Sequence, residues 1–170
     1  MNAPAQIDLR DASSFPSRRV EAWKYSDLRK YLREAPQPSA PAGVTGEGPF
    51  GALGGETLAF ANGRAVGADA FVASGEQTLR LRFVSDAVNT GHTASVRIAA
   101  RPGARLLILE SHEGAGSAYV AHNRIELDVA EGGNTRTERG KATEIFVRRN
   151  GKWLNTGWQL APDAAPARER

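Results

Sequence analysis

Residues 93–103 read TASVRIAARPG, and residues 122–132, which lie 29 positions later, read HNRIELDVAEG. Both stretches alternate apolar and polar side chains and then reach a glycine, which is typical of a half-buried β-strand followed by a turn. The matching positions are Val96, Ile98, Ala100 and Gly103 in the first stretch, and Ile125, Leu127, Val129 and Gly132 in the second. A strand and a turn that recur together at a fixed offset favour stacked coils of a β-solenoid or β-helix, although a β-sandwich has similar turn spacing.

Other segments carry the same strand signal. Residues 57–60 are followed by Asn62-Gly63, a pair that favours a tight turn, and residues 77–85 alternate regularly. Residues 106–110 begin with four consecutive aliphatic side chains, which is typical of a strand that is buried on both faces. We therefore expect a mainly β chain from residue 56 onward.

The N-terminal part predicts a helix instead. Residues 15–34 read FPSRRVEAWKYSDLRKYLRE, with Pro16 and Ser17 at the start. Its apolar positions recur with helical spacing at Val20, Trp23, Leu28, Tyr31 and Leu32. We expect this stripe, together with Tyr25, to dock the helix on the rest of the protein.

A hairpin is predicted near the C-terminus. Residues 143–148 and 152–160 are strand-like and flank Asn150-Gly151, the preferred pair of a type I′ turn. The fold class we expect is therefore mainly β, with an N-terminal helix followed by a partial right-handed β-helix and ending in a β-hairpin. The predicted division is a helical segment (1–34), a Pro/Gly-rich irregular linker (35–55), a partial β-helix (56–134), the hairpin (135–162) and a disordered tail (163–170).

Composition limits the chemistry of the chain. It has 170 residues and no cysteine, which excludes disulfides, thiolate nucleophiles and cysteine-held iron–sulfur clusters. The formal net charge is +3, but residues 1–134 carry −1 and residues 135–170 carry +4. No secretory signal and no apolar run of membrane-spanning length are visible, so we expect a cytoplasmic protein without a membrane partner.

Few residues have the pattern of a catalytic or metal site. His112, Glu113 and His122 could meet on facing strands as metal ligands, but their spacing matches no specific zinc motif. Ser111 precedes His112 directly, and neighbouring residues of a strand point to opposite faces, so the two are not expected to form a hydrolase pair. We assign no catalytic, cofactor-binding or metal-binding residue, and a non-catalytic role is favoured while the enzyme question stays open.

The predicted hairpin combines aromatic and basic residues. Trp153 and Trp158 lie near Arg148, Arg149 and Lys152, a combination that single-stranded nucleic-acid binding can use. Packing of the tryptophans against the strands explains the same pattern more simply. Nucleic acid is therefore not our expected partner, and steeply salt-dependent binding would be the sign of it.

Several of these stretches together resemble the SufD-type subunit of the Suf iron–sulfur cluster assembly system. Residues 15–32 are similar to that family's motif P-[TS]-R-x-x-E-x-W-K-Y-[TS]-D-L. The resemblance continues through FANGR (60–64), LRFVSD (81–86), GHTASVRI (91–98) and LLILESHEGAGSAYVAHNRIEL (106–127).

The resemblance covers about residues 8–133 and implies a helical N-terminal region followed by a right-handed β-helix. It also implies a cytoplasmic scaffold component, with a SufB-type paralogue and a SufC-type ATPase as partners. The absence of cysteine means that any cluster would associate only through those partners and that this chain alone binds no cofactor.

The chain departs from the SufD-type pattern after about Gly133. Residues 137–162 instead resemble the last two strands of SnoaL-like cone-shaped α+β proteins, a family of isomerases, hydrolases and small-ligand binders. The sequence thus leaves two interpretations: a truncated SufD-like scaffold component that works through protein–protein contacts, or a SnoaL-like small-ligand-binding or isomerase/hydrolase-type protein.

Overall fold

The chain is mainly β. The computed structural model describes residues 7–20, 23, 28–117, 119–131, 136–149 and 152–162, with the backbone alone from residue 130 onward. One short helix, α1, spans Leu28–Tyr31, and 3-10 turns span Ala12–Ser14 and Gly51–Leu53. The strands are β1 (Glu56–Ala61), β2 (Arg64–Ala65), β3 (Ala70–Ala73), β4 (Glu76–Val84), β5 (Gly91–Ala100), β6 (Arg105–Glu113), β7 (Val120–Glu131), β8 (Arg136–Arg149) and β9 (Lys152–Pro162).

These strands form two sheets. The four-stranded sheet has the order β2-β1-β4-β6, and the five-stranded sheet has the order β3-β5-β7-β8-β9. From β3 to β7 the chain alternates between the two sheets, and β5, β6 and β7 each pair in parallel with the strand two steps earlier in the chain. The link between β5 and β6 has only four residues (101–104), too few to run back along a strand of about 30 Å, so the strands of the two sheets run in opposite directions.

The 29-residue repeat is the pairing register of this arrangement. Val96 pairs with Ile125 and Ile98 pairs with Leu127 in the β5–β7 ladder. The β4–β6 ladder has the same offset, since Glu76 pairs with Arg105. The prediction that both stretches form β-strands is therefore confirmed.

The core lies between the two sheets. It is built from the alternate apolar residues whose side chains point inward, namely Leu58, Phe60, Leu79, Leu81, Phe83, Ala94, Val96 and Ile98. Each larger aliphatic or aromatic side chain buried here contributes about 1.5–3 kcal/mol relative to exposure. The Phe60 and Phe83 rings stack with centroids 5.3 Å apart, and the His112 ring continues the stack at 5.4 Å from Phe83.

The predicted fold class, an N-terminal helix followed by a partial right-handed β-helix and a terminal hairpin, is wrong in its helix and its β-helix, whereas β8 and β9 do pair antiparallel as the predicted hairpin requires. The sheets are mixed, because β2 pairs antiparallel with β1, and β8 pairs antiparallel with both β7 and β9. Instead of forming separate elements, β8 and β9 extend the sheet that contains β7. Antiparallel neighbours need only short connections, and four residues separate β7 from β8 along the chain.

The long N-terminal helix is also wrong for the residues that the structure describes. Only α1 is helical in 28–34, and Ser17 to Val20 make a turn. The apolar stripe packs in part: Trp23 and Leu28 are buried in a cluster with Phe15 and with Val120 of β7, and Val20 and Leu32 pack against it, whereas Tyr31 is 63% exposed. Tertiary packing thus buries these apolar residues without a continuous helix in the described part. Residues 21–22 and 24–27, including Tyr25, lie outside that part.

Segment 35–55 is irregular, and it is held against the sheets. Pro38 forms a parallel bridge with Gly91, and the Ser39 amide donates to the Gly91 carbonyl at 2.9 Å. The Gly91 amide in turn donates to the Gln37 carbonyl at 2.8 Å. A side chain at Gly91 would collide with the Pro36 ring, so glycine is what allows this close approach.

Candidate functional site

The three residues considered as metal ligands lie in three different surroundings. His112 is on the inner face of β6, where Nε2 lies 2.8 Å from Oε1 of Glu110. Glu113, the next residue, belongs to the opposite face and binds Arg82. His122 lies on β7, on the face opposite to Ile125, which packs against the core. The structure therefore does not bring them together, and no group of three or more possible metal ligands occurs among the residues described.

Glu113 takes part in a buried clamp on the outer face of the four-stranded sheet. Arg82 donates to both carboxylate oxygens of Glu113 at 2.9 and 2.8 Å, and the Ser111 hydroxyl donates to the same carboxylate at 2.7 Å. Arg82 also donates to the carbonyls of Thr45 and Gly46. The hydrogen bonds from Arg82 hold the pKa of Glu113 below its ordinary value, and they raise that of Arg82. The clamp thus fixes segment 45–46 on the sheet, and it directs Ser111 away from His112.

His92 is the centre of a buried polar network that sequence reasoning missed. Its Nδ1 lies 3.0 Å from the Ser39 hydroxyl, and its Nε2 lies 3.0 Å from the Ser85 hydroxyl. The ring stacks on Tyr119 at 5.7 Å, and Ser39 also bonds Thr90. Burial lowers the pKa of His92 to about 4, with Arg64 as a second cause, so the ring is neutral near pH 7. The available signal was its alternation with Ala94 in β5, which places it on the inner face.

His122 is buried without any hydrogen bond to either ring nitrogen. Burial, with the nearby Arg124 as a second cause, lowers its pKa to about 4. It shares the outer face of β7 with Val120, which packs against the N-terminal cluster. A neutral ring in such a place acts as an apolar filler that protonation would disturb.

The outer edge of β6, here called the open edge, is the surface best suited to binding. The Arg105 amide donates to Gly75 and the Glu113 carbonyl accepts from Ser85, so odd-numbered residues of β6 bond toward β4. Because backbone groups alternate sides along a strand, Leu106, Ile108 and Glu110 turn theirs toward the open edge, where no described strand lies.

The core is incompletely covered at the same place. Leu106 and Ile108 of β6, and Ile125 and Leu127 of β7, pack against the core cluster but stay half-buried. Leu107, on the outer face, is 55% exposed. Unpaired backbone groups beside half-exposed aliphatic side chains are what a further β-strand would cover. The open edge can therefore bind protein, while the geometry described provides no catalytic constellation.

In the basic and aromatic patch, Arg148 and Arg149 lie on β8 and Lys152, Trp153 and Trp158 lie on β9, where the backbone alone is described. Within the described ranges, no helix combines the length and the apolar composition that crossing a bilayer requires. Comparisons of the chain with protein-family models, with curated proteins and with solved structures found no match in any of the three.

Proposed function

We propose that the chain is a non-catalytic, scaffold-type component of iron–sulfur cluster assembly that acts in the cytoplasm through protein–protein contacts. The observation that carries the protein-contact part is the open edge, with half-buried aliphatic residues beside it. The iron–sulfur part rests on the resemblance to SufD-type subunits in residues 15–32 and 106–127.

The position of the resembling residues supports this link. Residues 106–127 span β6, the following turn and most of β7, so the longest resembling stretch borders the open edge. The chain has no cysteine, and a cluster handled by the assembly would take its thiolate ligands from other subunits. The chain would supply position and contact area, with a SufB-type paralogue and a SufC-type ATPase as its partners.

Co-purification tests the proposal. The full chain, immobilised through a terminal tag, is mixed with purified SufB-type and SufC-type subunits, singly and together. We expect a stoichiometric complex that survives gel filtration. Glu110→Pro removes a backbone donor at the open edge, whereas Glu110→Ala removes the same carboxylate and keeps that donor, so binding should be lost in the first variant only. Absence of binding to any combination of subunits would refute the iron–sulfur role.

The SnoaL-like alternative has less support. That fold needs helices closing a cone-shaped sheet, and the longest helix among the described residues, α1, has 4 residues. Strands β8 and β9 continue a sheet that begins with the parallel strands β3, β5 and β7. A small-ligand pocket between them is therefore not our proposal.

A further inference from the structure

Residues 36–41, here called the strap, cross the start of β5 and are held there without a buried apolar side chain. Within residues 29–57, the structure buries one residue alone, Ser39 of the strap, which is 3% exposed. A segment that buries few apolar groups opens at a lower cost in free energy than the core does. The attachment of the strap therefore depends on its polar contacts.

The polar contacts of the strap converge on Ser39. Its amide donates to the Gly91 carbonyl at 2.9 Å, and its carbonyl accepts from Nη1 of Arg64 at 3.0 Å. Its hydroxyl lies 2.9 Å from the Thr90 hydroxyl and 3.0 Å from Nδ1 of His92. One serine side chain thus joins the exposed strap to the buried ring of His92.

We propose that the strap is an acid-released cover, which protonation of His92 detaches from β5 while the two sheets remain folded. The histidine is 9% exposed, so a protonated ring would be a largely buried cation. The Arg64 guanidinium, bonded to the carbonyl of the same serine that bonds the ring, would be a second cation beside it. Lifting the strap admits water to the ring and removes the contact that holds the two cations together.

The surroundings of His92 do not compensate such a charge. Arg64 is the charged group that acts on the ring, and it opposes protonation. On its other sides the ring meets the Ser85 hydroxyl, 3.0 Å from Nε2, and the stacked Tyr119 ring. Asp86 follows Ser85, but it is exposed, and its Oδ1 accepts from a backbone amide in the link before β7 at 2.9 Å. Both ring nitrogens are thus engaged by hydroxyls, and neither has a carboxylate partner in the described part of the chain.

The titratable groups on the inner face of β6 and on β7 are engaged elsewhere. His112 of β6 bonds Glu110 at 2.8 Å and stacks on a phenylalanine ring of β4. His122 of β7 pairs with Thr93, the neighbour of His92 in β5, and so lies on the opposite face of the sheet. The inner-face carboxylate of β6 is therefore paired with a histidine other than His92.

Release of the strap uncovers the start of β5. Strand β3 pairs with residues 97–100 of β5, and the strap covers the edge at Gly91, whose amide donates to the Gln37 carbonyl at 2.8 Å. In the open form this amide and the Gly91 carbonyl lose these partners, and the Thr90 hydroxyl loses Ser39. The strap thus controls whether the start of β5 is covered or accessible.

The size of the effect follows from the two positions of the strap. With the strap closed, burial and, second, Arg64 hold the pKa of His92 at about 4, whereas the ordinary value is 6.5. Below pH 6.5 the open form therefore binds a proton that the closed form does not, and opening becomes more favourable as the pH falls toward 4. The open fraction should increase about 30-fold between about pH 7.5 and about pH 5, and at most about 300-fold at lower pH.

Amide hydrogen exchange of the full chain, followed by NMR at about pH 7.5 and about pH 5, tests the inference. The amides of Ser39 and Gly91 donate across the contact between the strap and β5, so both report its opening. After correction for the intrinsic exchange rates, their protection should fall about 30-fold at the lower pH. Protection of the Leu81 amide in the core should be higher at both pH values, because that amide exchanges only when the sheets unfold.

Three variants separate release of the strap from unfolding of the whole chain. His92→Gln keeps a polar group near Ser39 but cannot take up the proton, so protection at residue 39 should no longer depend on pH. His122→Leu removes the other buried histidine and is the matched control, in which the fall of about 30-fold should remain. Arg64→Gln keeps a donor for the Ser39 carbonyl and removes one cation, so the fall should be smaller than in the wild type.

Circular dichroism verifies that each variant is folded, and Arg64→Gln and His122→Leu keep the test decisive if His92→Gln does not fold. Unchanged protection at residue 39 between the two pH values, or an undiminished fall in His92→Gln or in Arg64→Gln, would overturn the inference. A fall that shrinks in His122→Leu, or protection equal to that of Leu81, would also overturn it, because exchange would then proceed through global unfolding. The inference does not depend on the proposed function, which uses the open edge of β6 instead.

Discussion

Lowering the pH from about 7.5 to about 5 should destabilise the protein through its two buried histidines. Burial lowers the pKa of His92 and His122 to about 4, from an ordinary value of 6.5. Between these two values the unfolded chain binds protons that the folded chain does not. Stability is therefore greatest above pH 6.5 and is lost as the pH falls toward 4.

The magnitude follows from the same two values. At pH 5 the linkage relation gives a loss of about 2 kcal/mol for each histidine, and about 3 kcal/mol once the pH is below 4. The loss at pH 5 for both together is about 4 kcal/mol, a large part of the 5–15 kcal/mol that is typical of a domain. The lowered pKa of Glu113 places its own loss of stability below its ordinary value of 4.5, outside this interval.

Urea unfolding at the two pH values measures the effect, at one fixed protein concentration because self-association would contribute to stability. His92→Gln keeps a polar group near Ser39 and Ser85, and His122→Leu fills its apolar surroundings. Each variant should reduce the pH-dependent loss by about 2 kcal/mol, and the double variant should remove most of it. A wild-type unfolding free energy that is equal at both pH values, or a double variant with an unchanged pH dependence, would refute the reasoning.

Two further substitutions test the contacts that hold segment 35–55. Glu113→Gln breaks the bidentate pair with the buried Arg82 and should cost about 3 kcal/mol in urea unfolding, whereas Glu126→Gln, in a half-exposed pair, should cost less than about 1 kcal/mol. An equal loss of unfolding free energy in the two variants would contradict the greater stabilisation expected from the buried Arg82–Glu113 pair. Gly91→Ala should push away the neighbouring proline ring, cost about 1–3 kcal/mol and speed amide exchange at residue 39. Gly43→Ala, which has open space around it, is the control, and unchanged exchange in Gly91→Ala would contradict the packing described.

The strands that carry a local pattern were predictable. Alternation at Val96 and Ile98, and its return at Ile125 and Leu127, express a side-chain period of two that holds wherever one face is buried. The same period places His92 on the inner face. Its partner Ser39, however, lies 53 residues away in a segment without any period, and no local signal could have joined the two.

In the N-terminal segment, the local pattern predicted the wrong secondary structure. Trp23 and Leu28 have helical spacing, but a short isolated helix is marginal in water and depends on tertiary packing. Here the apolar residues are buried against Val120 without a continuous helix in the described part. The sheet that β8 joins was also not predictable. A strand with one apolar row can pair at the edge of either sheet, and the sequence does not distinguish these two edges.

The contact between the N-terminal cluster and Val120 imposes an order on folding during synthesis. Phe15 and Trp23 leave the ribosome early, but the strand that buries them follows about a hundred residues later. At the usual rate of about 5–20 residues per second, these aromatic side chains stay uncovered for at least about 5 s. The segment that holds Phe15 and Trp23 is therefore made well before the strand that covers it, and it needs protection from aggregation while that strand is still being translated.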